Sequence, residues 1–151
     1  MEKLELLRIV ASLYAGLPGI SDYDVPPQLP EVHALPRAIL QDLVCARACQ
    51  IRAAYHPDFG VMIDESLNLK GSLYDRSILL HELVHHAQHR KGKFDELRTP
   101  CVRRAAAEEE AYLMQNRYIS ANGGSEGVSV VNWFTRCEHQ PANEESIPAV
   151  D

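Results

Sequence analysis

An α+β domain, mostly helical with one short antiparallel β-sheet, is what the 151-residue sequence predicts. Three observations carry this expectation. Apolar residues recur at helical spacing around residues 1–15, 36–48, 75–91 and 101–120. Two runs rich in strand formers, residues 50–55 and 60–64, flank a turn at residues 56–59. The hydrophobic fraction of 46% beside 24% charged residues is that of an ordinary soluble chain with room for one core.

Residues 1–15 place Leu4, Leu6, Leu7, Ile9, Val10, Leu13 and Tyr14 among Glu2, Lys3, Glu5 and Arg8, an amphipathic helix. It has no uninterrupted apolar core and no small-residue cleavage site, so it does not read as a signal peptide. Leu17-Pro18-Gly19 ends it, and residues 17–35, with Pro26, Pro27 and Pro30, read as a surface connector too polar and kinked for core helix or strand. Pro36 opens a helix to about residue 48, with Ile39, Leu40, Leu43 and Val44 as its stripe. Two strands follow, with Gly60 available for a bulge, and Leu67-Asn68-Leu69 reads as a third short strand. The next helix is expected to use Asp75 as N-cap and Gly92 as its stop, with basic residues in its last turn. Pro100 and Asn122-Gly123-Gly124 bracket the last long helix. Residues 128–134 form an apolar piece, helix or strand, closing the core. Residues 1–140 thus read as one domain, and residues 141–151 as a polar, mobile tail.

Within the apolar run Ile78-Leu79-Leu80-His81-Glu82-Leu83-Val84-His85-His86 the chain spells H-E-x-x-H. One helical turn separates His81 from His85, so both imidazoles project from one face and can share a metal ion. Glu82 lies on the neighbouring side of the helix, where it can reach a water on that ion rather than ligate it. If the histidines were ordinary interior residues, a buried Glu82 carboxylate would still need a partner of its own. A metal site accounts for all three.

A catalytic zinc site wants a third protein ligand and one open position. The run Glu108-Glu109-Glu110 on the last long helix offers candidates. Glu110 has Ala106 and Ala107 one turn before it and Leu113 and Met114 one turn after, the most apolar of the three faces. Glu109 is intermediate, and Glu108, flanked by Arg104, Ala105, Ala111 and Tyr112, has a mixed face. The expected ligand set is therefore His81, His85 and Glu110, with Glu109 second.

His81-Glu82-x-x-His85 on one helix, followed by Glu110-Ala111-Tyr112 on a second, resembles the gluzincin branch of the zincin metallopeptidases, the thermolysin-like group. The resemblance spans residues 55–120. It implies a small zincin-like domain whose sheet packs beside the H-E-x-x-H helix, an edge strand that holds extended substrate, and one Zn2+ ion. It also implies hydrolysis of peptide bonds by a metal-activated water, with Glu82 as general base. Met114 stands where that group has an aspartate holding the first histidine. Asn116, Asp64 or a backbone carbonyl is then expected to fix the imidazole. Tyr112, Tyr118, His139 and Arg103 are candidate oxyanion donors, none of them assigned, and His86 and His89 are expected behind the site or on the surface.

A net charge of −6 gives no reason to expect nucleic acid, and no stretch is long enough for a membrane span. The expected partner is a peptide or protein substrate, and the oligomeric state is open. Four cysteines, Cys45, Cys49, Cys101 and Cys137, allow three pairings. Cys101 with Cys137 would tie the front of the glutamate helix to the tail. The compartment stays open, leaning to a secreted or periplasmic location if a signal peptide precedes residue 1 and otherwise to the cytoplasm. The alternative to a peptidase is a non-catalytic zinc-binding or interaction module using the same ligands.

Overall fold

The computed structural model describes residues 1–24, 28–46, 49–130 and 132–138. In chain order these form α1 (Lys3–Ala15), a 3₁₀ turn (Leu17–Gly19), β1 (Val32–Leu35), α2 (Arg37–Val44), β2 (Ala53–His56), β3 (Gly60–Asp64), α3 (Leu73–Lys91), α4 (Pro100–Ala121) and the short α5 (Trp133–Glu138). The architecture is α+β, as expected. Residues 141–151, expected as a tail, lie outside the described residues, as do Pro26, Pro27 and Ala48.

The sheet is mixed rather than antiparallel, which corrects the sequence expectation. Its order is β1-β3-β2, with β2 antiparallel to β3 and β1 parallel to it, Val32 opposite Val61 and Leu35 opposite Asp64. The third strand is thus the end of the presumed connector and not residues 67–69. Between Pro30 and Pro36, the segment containing Val32 and Leu35 is free to donate into a ladder, and an edge strand tolerates prolines at its ends. Residues 67–69 instead form a loop that buries Leu67 and Leu69. The Asn68 amide there is taken by the Asp75 carboxylate at 2.7 Å. Gly60 has φ 81°, and a Cβ there would run into the Glu31 carbonyl that the Val61 amide binds at 2.8 Å.

Alternation along the strands divides the core. Val32, Ala53, Tyr55, Val61 and Ile63 face α3 and α1, where Leu6, Val10, Leu13, Leu79, Leu80, Leu83 and Val84 complete the main cluster. Leu35, Ala54 and Met62 face α2 with Leu40 and Ile51. Burying α3 on nearly all sides explains why its apolar residues encircle the motif rather than form a stripe.

The ends of α3 fit their chemistry. Ser72, not Asp75, is the N-cap: its hydroxyl accepts from the Asp75 amide at 3.1 Å, which frees the Asp75 carboxylate for Asn68 and for Arg52 at 3.5 Å. At the other end Gly92 is left-handed, φ 63°, and the Lys93 amide reaches back to the Gln88 carbonyl at 3.2 Å. Thr99 caps α4, with Pro100 in its first turn. Disulfides join Cys45 to Cys49 and Cys101 to Cys137. The second ties α4 to α5, where Trp133 is buried against Ala105.

Candidate metal centre

Helix α4 lies along α3, and the face it turns toward the motif carries Glu108, Ala111 and Gln115, all buried. The small Ala111, three residues beyond Glu108, packs in the cluster that α3 shares. The Glu108 side chain then spans the gap. Its carboxylate lies 3.2 Å from His81 Nε2 and 2.9 Å from His85 Nε2, and the two ring nitrogens are 3.2 Å apart. Among the described residues these three form the group of His, Cys, Asp or Glu donors close enough to share an ion.

The outer nitrogens fix both tautomers. His81 Nδ1 lies 2.9 Å from Gln115 Oε1; Gln115 Nε2 donates to Ser77 Oγ at 3.1 Å, and that hydroxyl donates to the Tyr74 carbonyl at 2.6 Å. Because the carbonyl only accepts, the hydrogens of this chain run one way and His81 Nδ1 carries its proton. Similarly, Gln88 Nε2 donates to the Ala107 carbonyl at 2.9 Å and to Glu110 at 3.2 Å. This turns Gln88 Oε1 toward His85 Nδ1, 2.8 Å away. Both Nε2 atoms therefore face the Glu108 carboxylate.

The third donor is a correction. Glu110, expected as the ligand, turns away from the histidines: its carboxylate pairs with the Lys93 ammonium and accepts from the Tyr23 hydroxyl and Gln88. Glu109 is exposed. Of the two residues after Glu110 whose apolarity recommended its face, Met114 is buried but Leu113 is 46% exposed, so apolar neighbours do not single out the inward glutamate. Around Glu110, burial and the carboxylate raise the Tyr23 pKa. Burial works against the Lys93 ammonium, but Glu110 and Asp22 outweigh it and hold its pKa above the usual range.

Asn116 and Asp64, expected behind the first histidine, are elsewhere. Asn116 bonds the backbone of Val128, and Asp64 is held by Arg37 at 2.7 Å and by Ser66. Gln115 takes the role instead. Neither Gln88 nor Gln115 drew notice in the sequence, although Gln115 is seven residues beyond Glu108 and so on the same helix face.

Two clefts flank the donors. One, about 260 Å³, is bordered by His85 and Glu108 together with Tyr55, Phe94, Arg103 and Arg104. The other, about 200 Å³, is bordered by His81 and Glu82 with Gln50, Arg52, Tyr112 and Gln115. Glu82 is fully buried and stands outside the three-donor group. The Tyr112 ring lies 4.5 Å from that of His81, and Arg104 approaches Glu108 at 3.6 Å. Tyr118 binds Arg76, and Arg103 lines the larger cleft while donating to the Leu97 carbonyl. His139 lies outside the described residues. His86, its pKa lowered by burial, bonds Tyr55 at 3.2 Å behind the motif, and His89 is exposed at the rim of the larger cleft.

Tetrahedral zinc with bonds of about 2.0–2.1 Å needs donors about 3.3 Å apart. Separations of 2.9–3.2 Å, two Nδ1-protonated imidazoles and one carboxylate fit such an ion. The fold and site define a small α+β domain with a buried two-histidine, one-carboxylate centre. The chain belongs to the family described as a domain of unknown function (DUF6647), whose model matches residues 4–143. No curated protein and no solved structure matches it.

Proposed function

We propose that this protein is a zinc-dependent peptidase of zincin type, with His81, His85 and Glu108 holding the ion and Glu82 acting as general base. The observation that carries the reading is the convergence of two histidine Nε2 atoms and a buried carboxylate at tetrahedral spacing, beside a fully buried glutamate. Without a cation or added protons, three electron-rich groups so close would repel one another.

Zinc bound here would polarise a carbonyl and bring the pKa of a water from about 15.7 toward roughly 7. The chain's own part is positional and protolytic. Gln115 and Gln88 hold a proton on each Nδ1, so that the neutral imidazoles would turn their Nε2 lone pairs toward the ion. Glu82, desolvated in the cleft it shares with His81, accepts a proton from the attacking water and returns it to the leaving amine. Strand β2 is a sheet edge. Tyr55 borders the larger cleft, while Gln50 and Arg52, just before the strand, border the smaller one. An extended peptide adding to that edge would pass alongside the donors. The two disulfides favour an oxidising compartment.

The test has two parts. Elemental analysis of untagged protein should find one zinc per chain, lost in His81→Ala. With zinc retained, Glu82→Gln should cut cleavage of a peptide library by roughly 10²–10⁴. Undiminished cleavage would overturn the mechanism. A non-catalytic zinc module is the second reading, favoured by depth: His81 and Glu108 are 2% and 1% exposed. Zinc binding without cleavage of any peptide in the library would establish it.

A further inference from the structure

We infer that Glu110 is a positioning residue for the metal centre, acting on His85 through Gln88. The inference rests on the metal-centre reading above and adds a residue that touches no ion. The hydrogen bonds behind His85 all run one way, from His85 Nδ1 to Gln88 Oε1 at 2.8 Å and from Gln88 Nε2 to Glu110 Oε1 at 3.2 Å. The chain ends on a carboxylate, which the Lys93 ammonium and Tyr23 hydroxyl hold in place.

A flipped Gln88 would set its oxygen against both the Ala107 carbonyl and the Glu110 carboxylate, so the amide has one workable orientation. A charged acceptor at the far end also polarises the amide. Its oxygen becomes the better acceptor, and His85 Nε2 the better electron donor. The relay behind His81 ends differently, on the neutral Ser77 hydroxyl and Tyr74 carbonyl. The two histidines therefore have unequal support, one anionic and one neutral. Lys93 also binds Asp22 at 3.2 Å, so the segment after α1 is anchored to the same carboxylate.

The experiment is competition of full-length apo-protein with a chromophoric chelator for zinc. Glu110→Ala should weaken zinc binding roughly 10–100-fold. Glu110→Gln, whose amide oxygen can still accept from Gln88, should recover most of that loss. In a Gln88→Leu background, Glu110→Ala should cost less than about twofold more, because the path is already cut. Equal affinity of Glu110→Ala and wild type, or an undiminished loss in the Gln88→Leu background, would overturn the inference. Should Glu110→Ala fail to fold, Glu110→Asn, which draws the acceptor back from Gln88, is read in the same way. If the wild-type protein takes up no zinc, the preceding reading fails by itself. Long-range ¹H–¹⁵N spectra of the His85 ring then decide this one. A proton fixed on Nδ1 in wild type and redistributed in Glu110→Ala supports it; identical spectra overturn it.

Discussion

Replacing Glu108 by glutamine should change the sign of that side chain's contribution between the metal-free and zinc-loaded protein. Zinc at one hundred times its Kd stabilises a folded protein by about 2.7 kcal/mol. For a chain of 151 residues, at roughly 2–4 °C per kcal/mol, that is an upward shift of about 5–11 °C in Tm. Glu108 is 1% exposed and within 2.9–3.2 Å of both imidazoles, so it would supply the only charged donor among the three. Losing one charged partner from a buried ionic cluster costs about 3–5 kcal/mol, or two to three and a half decades of affinity. At the same zinc concentration Glu108→Gln would therefore be at or below its own Kd, and the shift should fall to about 1–2 °C or less. In chelator, the neutral amide can donate to a histidine lone pair where the carboxylate repelled it. The variant should then match or exceed wild type, within about 1 kcal/mol. Differential scanning calorimetry with zinc and with chelator measures both. A full zinc shift in Glu108→Gln together with its loss in Glu110→Gln would refute the assignment and restore the glutamate that the sequence favoured.

Two further predictions concern the scaffold. Burial pushes the Asp64 carboxyl up, but the Ser66 amide, the Arg37 guanidinium and the Ser66 hydroxyl outweigh it and hold it below the ordinary 3.8. Its stabilisation is thus complete above that pH and fades as pH falls through the depressed value. Asp64→Asn should cost about 1–3 kcal/mol in urea unfolding at pH 7, and its deficit should shrink below pH 3.8. Cys101 and Cys137 are 36 residues apart and Cys45 and Cys49 only 4. Loop-closure entropy then gives about 4 kcal/mol for the first bridge and about 2 for the second. Urea titrations of the two double serine variants, followed by Trp133 fluorescence, should rank them in that order; the reverse ranking would contradict the entropic account.

Why some of this was legible in the sequence and some was not follows from which forces act locally. The H-E-x-x-H helix is visible because an apolar run, a turn before it and Gly92 after it are all short-range signals, and α3 obeys them. Helix α4 is equally visible in extent, but its orientation is not. Ranking the three glutamates by the apolarity of their neighbours assumes that the buried face is the greasy one. Here the buried residues are Ala105, Glu108, Ala111, Met114, Gln115 and Ile119, a mixed set, because α3 presents imidazoles beside its leucines. An alanine three residues after a glutamate, with a glutamine seven beyond it, is the local trace of the polar helix contact. The parallel pairing of β1 left no such trace, since it depends on a crossover through α2 that brings residues 32–35 beside β3.

The same helix contact bears on what the centre can do. Two neutral imidazoles and one carboxylate would leave a bound divalent ion with a net positive charge, and both residues that fix the imidazoles are amides rather than carboxylates. An amide acceptor orients a histidine without donating as much electron density as an anion would, so a bound ion would keep more of its Lewis acidity. Arg104, 3.6 Å from Glu108, draws further density from the one anionic donor. The Glu110 relay works in the opposite direction, but at one residue's remove and on His85 alone. An electron-poor centre of this kind suits polarising a carbonyl, and a purely structural zinc would have little use for it. On the proposed reading, that difference in electron demand, more than the motif itself, would tie the fold's helix packing to hydrolytic chemistry.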